Sequence, residues 1–168
     1  MRGTLATILL LGALPGDETV YREDFGAKAP KDWKPSASWK VEEGELRGAG
    51  AGTARFAKPV RGDFTLTFDA WSEEKANVEV RLLDPKDRRA LLTFAFLGRY
   101  HSVLDGVKSA ILKGDRFVRI DPKMWIYPGR RFTFEVRRAR NQYQMFLDRE
   151  LGPFFVDEAP EGEEFLLE

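Results

Sequence analysis

The stretch Asp63-Phe64-Thr65-Leu66-Thr67-Phe68-Asp69-Ala70-Trp71 decides the fold class. Phe64, Leu66, Phe68 and Ala70 fall on one parity, and Thr65, Thr67, Asp69 and Trp71 on the other. Successive side chains of a strand point to opposite faces, so this alternation marks a strand with one face in a core and one in solvent. Residues 77–82 repeat it, with Val78, Val80 and Leu82 opposite Asn77, Glu79 and Arg81. Residues 131–138 direct Phe132, Phe134 and Val136 inward, and residues 141–147 put Tyr143, Met145 and Leu147 on one side. Residues 90–97 are apolar on both parities, which predicts a central strand covered on both faces.

Turn chemistry separates these runs. Glu42-Glu43-Gly44, Arg61-Gly62-Asp63, Asp84-Pro85-Lys86-Asp87, Leu104-Asp105-Gly106, Lys113-Gly114-Asp115 and Tyr127-Pro128-Gly129 all read as turns, and Asp148-Arg149-Glu150 closes a further hairpin. No heptad, long amphipathic helix or fixed-period repeat interrupts the pattern. The expectation is an all-β sandwich of two antiparallel sheets with few or no helices. Trp33 and Trp39 read as core, residues 26–38 as an ordered loop around Trp33, and residues 48–52 as a flexible turn. The closing Glu164-Phe165-Leu166-Leu167-Glu168 reads as a short edge strand or an incomplete last strand.

At 168 residues the chain suits one domain with its own core. Lys+Arg and Asp+Glu both number 27, so no net field steers the protein to nucleic acid, and none is expected as a partner. The absence of cysteine removes disulfides, thiolate metal sites, cysteine nucleophiles and a lipid anchor on cysteine. A single histidine, His101, rules out a histidine-rich metal site. Asp84, Asp87 and Asp105 lie in turns without Asp-x-Asp-x-Asp spacing, so no metal and no cofactor are expected. Nothing in the sequence signals an oligomeric state.

At the amino terminus, Arg2 precedes the apolar run of residues 5–14, which Pro15-Gly16 breaks. The run is shorter than the ~20 apolar residues that span a bilayer and suits the apolar region of a signal peptide. Residues 1–16 are therefore expected to be a signal peptide and residues 17–168 an exported domain with no membrane insertion after its removal. The alternative is a buried first strand of the domain.

Asp24-Phe25, then Trp33, then Trp39-Lys40-Val41-Glu42-Glu43-Gly44-Glu45-Leu46 resemble the opening of the 3-keto-disaccharide hydrolase-like domains of the concanavalin A-like lectin/glucanase superfamily. Gly62-Asp63-Phe64-Thr65-Leu66, Asn77-Val78-Glu79-Val80-Arg81, residues 129–136 and residues 143–148 resemble later strands of that family. The resemblance spans roughly residues 21–155. It implies a jelly roll with one concave face, and glycans or sugar derivatives as ligands. The Gly-x-Glu-x-Gln strand of hydrolase-like members is replaced here by Ala90-Leu91-Leu92-Thr93-Phe94, so binding is expected ahead of cleavage.

Glycoside hydrolysis usually needs two carboxylates, about 5 Å apart for retention and up to about 9 Å for inversion. Asp69, Glu79 and Glu135 lie on outward parities and are the candidates if the chain is an enzyme, although solvated strand faces carry acids in any case. For ligand binding, Trp71 offers a stacking surface, Asn77 and Arg81 offer hydroxyl partners, and Tyr100-His101 lies on an expected loop. The plainer readings are packing under a loop for Trp71, an ion pair with Glu79 for Arg81, and a surface histidine for His101. Trp125 reads as a loop lid or a turn anchor, and Arg137-Arg138-Ala139-Arg140 as a solvated turn. Three functions follow: an exported glycan-recognition domain first, a glycoside hydrolase second, and a structural or adhesion module without a small ligand third.

Overall fold

The computed structural model describes residues 2–14, 17–23, 32–49, 52–73, 77–97, 109–160 and 162–168, and places no helix among them. The larger sheet has eight strands. Its path runs from β15 (Glu150–Val156) through β14 (Gln142–Leu147), β13 (Phe132–Ala139), β8 (Asp63–Ser72), β1 (Arg2–Leu14) and β5 (Glu45–Ala49) to β4 (Trp39–Glu42), with β2 (Asp17–Glu23) pairing off β1. The second sheet has six, ordered β12 (Arg116–Asp121), β11 (Ser109–Lys113), β10 (Ala90–Phe96), β9 (Val78–Leu83), β16 (Glu164–Leu167) and β7 (Val60–Arg61). β3 (Trp33–Pro35) and β6 (Ala54–Phe56) form a separate ribbon. Neighbouring strands are antiparallel in both sheets.

The core lies between the sheets because the inward parities face each other. Phe134 of β13 stacks on Phe68 of β8 at 5.1 Å and meets Phe96 of β10 edge-on at 4.9 Å, while Tyr143 of β14 meets Phe94 of β10 at 6.0 Å. β10 is central, and Leu91 and Ala95 on one parity are buried along with Leu92, Phe94 and Phe96 on the other, as its two-sided apolarity requires. Two hairpins turn on residues with positive φ: Glu43 and Gly44 at 54° and 76°, and Asp148 and Arg149 at 51° and 70°. That geometry matches the twist of the strands it joins.

Several details differ from the sequence reading. Trp33 is buried, but on the short strand β3 rather than in a loop. Gly48 lies within β5 and not in a flexible turn; the Trp39 ring packs so closely over it that an added Cβ would sit 2.6 Å from ring carbons. β16 is no edge strand: it runs between β9 and β7 because Phe165 and Leu167 are drawn fully into the core. Paired as β1, the amino-terminal apolar run takes the form of the alternative that its sequence also allows, from Gly3 opposite Ser72 to Ala13 opposite Asp63 on β8, and from Arg2 opposite Ala49 to Leu5 opposite Leu46 on β5. Asp24-Phe25 and the turn at residues 104–106 lie outside the described residues.

Candidate functional site

The outward face of the larger sheet gathers the richest set of functional side chains. Strand register sets Asp69 opposite Thr133, Thr67 opposite Glu135 and Thr65 opposite Arg137 across β8 and β13. On the next pair, Glu135 faces Phe146 and Arg137 faces Gln144; beyond them Phe146 faces Leu151 and Gln144 faces Phe154. Two rows thus cross four strands: Thr67-Glu135-Phe146-Leu151 and Thr65-Arg137-Gln144-Phe154.

Within the rows the polar groups are engaged with one another. Thr133 Oγ1 donates to Asp69 Oδ1 at 2.6 Å, and Thr67 Oγ1 donates weakly to Glu135 Oε2 at 3.4 Å. Arg137 Nε approaches Glu135 Oε1 to 2.5 Å, yet this oxygen accepts no well-aligned hydrogen bond, so the contact is an ion pair of poor directionality. The Arg137 guanidinium also lies 4.5 Å from the Phe146 ring centroid, a cation–π contact. Gln144 Nε2 donates to the carbonyls of Gly152 at 2.7 Å and Pro153 at 3.1 Å, fixing the register shift of β15 from which Phe154 and Leu151 project, 44% and 73% exposed.

At the other end of this face, half-buried Trp71 on β8 and Arg47 on β5 flank β1, both being paired with its Thr4. Glu45 binds Arg47 at 3.0 Å and Arg131 at 2.6 Å, and Arg47 also binds Glu43 at 2.7 Å. Desolvation alone would raise the Glu45 pKa, but the hydrogen bonds and charges of Arg47 and Arg131 outweigh it and hold the carboxyl below its ordinary value.

The expected site residues do not all meet. Asp69 and Glu135 share this face, diagonal to each other on neighbouring strands. Glu79, Arg81 and the adjacent Asn77 belong to the other sheet, whose inward positions Val80 and Leu82 are buried, so they look out on the opposite side of the sandwich. The three carboxylates therefore cannot converge on one substrate, because parity fixes inside against outside but not which sheet is involved. Arg81 binds Glu79 Oε2 at 2.5 Å and Glu168 Oε2 at 3.3 Å, and Glu168 also binds Arg55 at 2.5 Å, a structural network. Tyr100 and His101 lie outside the described residues. Trp125 meets Tyr127 edge-on at 5.4 Å, as a turn anchor would. Among the described residues no group of three or more His, Cys, Asp or Glu could hold a metal ion, and no helix is long and apolar enough to cross a membrane.

The sequence reading missed Arg138. It is 7% exposed rather than part of a solvated turn. It shares the inward parity of Phe132, Phe134 and Val136, a signal that was present in the alternation itself.

No protein-family model matches the chain, and no curated protein matches it. Among solved structures the fold is similar to the carbohydrate binding module CBM66 from Bacillus subtilis, with a TM-score of 0.55 and 16% identity over 81% of this chain and 86% of that one. The fold is thus an antiparallel β-sandwich. None of these comparisons shows the resemblance to 3-keto-disaccharide hydrolase-like domains that the sequence motifs suggest.

Proposed function

We propose that this chain is a glycan-recognition domain that binds carbohydrate on the outward face of its larger sheet. The observation that carries the reading is that Phe146 and Phe154 share the outward face of four neighbouring strands with Asp69, Glu135 and the threonines Thr65, Thr67 and Thr133. A sugar ring presents an apolar C–H face and a rim of hydroxyls. An aromatic face meets the first, and carboxylates and guanidinium groups meet the second through charge-assisted hydrogen bonds. An open face of this kind accommodates the interior of a chain. The similar fold of a protein named as a carbohydrate binding module supports the reading.

Hydrolysis is the second reading, favoured only by the diagonal placement of Asp69 and Glu135. The test is a glycan array probed with the full chain and with Phe154→Ala and Trp71→Ala. Saturable binding that weakens about tenfold in either variant, with unchanged circular dichroism, is the expected result; a tenfold loss corresponds to ~1.4 kcal/mol. An array with no binding to any glycan overturns the proposal. Release of reducing sugar that Glu135→Gln abolishes would replace binding by catalysis.

A further inference from the structure

Beyond the sheet face, one end of the sandwich carries an open cavity of about 400 Å³, lined by Gly62, Asp63, Arg138, Arg140, Asn141 and Glu163 among others. Its least ordinary feature is Arg138. Inward parity brings this guanidinium under the end of the core, 4.8 Å from the Phe165 ring centroid. Nη1 donates to Gly62 O at 2.6 Å, while Nε is buried with no hydrogen-bond partner. The guanidinium also donates to the buried Tyr143 hydroxyl, and among the described residues no carboxylate forms an ion pair with it. A desolvated guanidinium in this state is costly unless its remaining donors are used.

The rest of the lining keeps spare capacity of the opposite kind. Asp63 Oδ1 accepts from the Arg140 backbone N–H at 2.5 Å, which leaves its second oxygen. Asn141 Nδ2 donates to Asp157 O at 3.1 Å, which leaves its own carbonyl oxygen. Glu163 is exposed at the rim. Arg138 and Arg140 stand against Asp63 and Glu163, so the formal charge of the lining sums to zero. An anion would meet two carboxylates and a cation two guanidinium groups. A neutral polyol, each of whose hydroxyls both donates and accepts, satisfies both sets.

We propose that this cavity holds one neutral sugar unit at the end of a glycan, with Arg138 as donor and Asp63 and Asn141 as acceptors. The volume lies at the small end of ligand pockets, about 300–1,000 Å³, which suits a terminal unit rather than a chain. The inference rests on the glycan-binding reading but uses a different surface from the sheet face.

The experiment is saturation-transfer NMR of the full chain with glucose, galactose and mannose, and with glucuronate as the charged counterpart. Two variants address the cavity: Arg138→Lys, which keeps the charge but loses the fork, and Pro160→Trp, which fills the cavity from an exposed lining position without disturbing the core. Phe154→Ala addresses the sheet face. Transfer to at least one neutral hexose, measured in the Phe154→Ala background so that the sheet face does not contribute, and reduced at least fivefold by both cavity variants, is the expected result. Hexose binding that survives Pro160→Trp, or binding of glucuronate alone, overturns the cavity assignment. Oligosaccharide binding that responds only to Phe154→Ala overturns it too while sparing the sheet-face reading, and absence of binding to every sugar removes both.

Discussion

Arg81 and Glu168 are joined three times: Arg81 N–H donates to Glu168 O at 2.7 Å, Glu168 N–H donates to Arg81 O at 3.0 Å, and Arg81 Nη1 meets Glu168 Oε2 at 3.3 Å. The backbone ladder of β9 and β16 thus continues one residue past β16 and is sealed by a side chain. Glu79 and Glu168 raise the Arg81 pKa against an opposing desolvation, which is the largest single influence, so the guanidinium stays charged. A residue held in this way has its charge already engaged within the fold. Arg81→Ala is expected to leave glycan binding unchanged and to cost about 1 kcal/mol, given that its side chain is 41% exposed. Chemical denaturation alongside the array reads both quantities. A tenfold loss of binding without loss of stability would return Arg81 to the ligand site.

Glu45 gives the molecule an acid sensitivity with a defined sign. Its carboxyl, between Arg47 and Arg131, titrates below the ordinary 4.5 when folded and at the ordinary value when unfolded. Its stabilisation is therefore complete above about 4.5 and is lost as pH falls through the lowered folded value. Thermal unfolding followed from pH 6 downward should show a declining midpoint in this window, and Glu45→Gln should flatten the decline. Parallel curves for the two proteins would show that the carboxylate adds no pH-dependent stability.

Much of this architecture was legible in alternation. β8, β9, β13 and β14 fall where period-two patterning places them, because each has one face in the core. β10 was legible as a central strand from its apolarity on both parities. The site was less legible. Alternation sorts side chains into inward and outward but carries no information about which sheet a strand joins, so Glu79 and Asp69 looked like companions and stand on opposite sides. Phe146 and Phe154 are visible as aromatics, but their alignment with Glu135 and Gln144 depends on cross-strand register, which a single sequence does not show. Arg138 was hidden by its neighbours Arg137 and Arg140: composition suggested a turn where parity pointed inward.

Asp157 is the acid on which the loop after β15 depends. It is 4% exposed, accepts from Lys113 Nζ at 2.8 Å and from Ala159 N–H at 3.2 Å, and Lys113 Nζ reaches Ala159 O at 2.8 Å. Removing a buried partner leaves the other charge uncompensated. Asp157→Ala is expected to cost about 3 kcal/mol in urea denaturation, at the low end for buried pairs because Lys113 is 27% exposed. Asp157→Asn, which keeps an acceptor but not the charge, should cost clearly less. If asparagine proves as damaging as alanine, the charge matters and the cap does not. If it costs nothing, the ion pair contributes nothing.

The segment Arg2–Leu14 is where two physical readings of the same residues compete most directly. Its short apolar run after a basic residue satisfies what an export leader needs, and its extended form pairs with β8 through ten register partners and with β5 through four. The two roles exclude each other in one mature chain, because cleavage after residue 16 would part β8 from β5 and open the ladder of each. Unpaired ladder groups exchange their partners for water, and the open edge invites pairing with another chain. A chain beginning at Asp17 is therefore expected to unfold several degrees below the full chain and to associate more readily at high concentration. Thermal unfolding and light scattering on the two proteins measure this. Equal midpoints and equal monodispersity would show that β1 adds nothing to the folded domain, the behaviour of a leader.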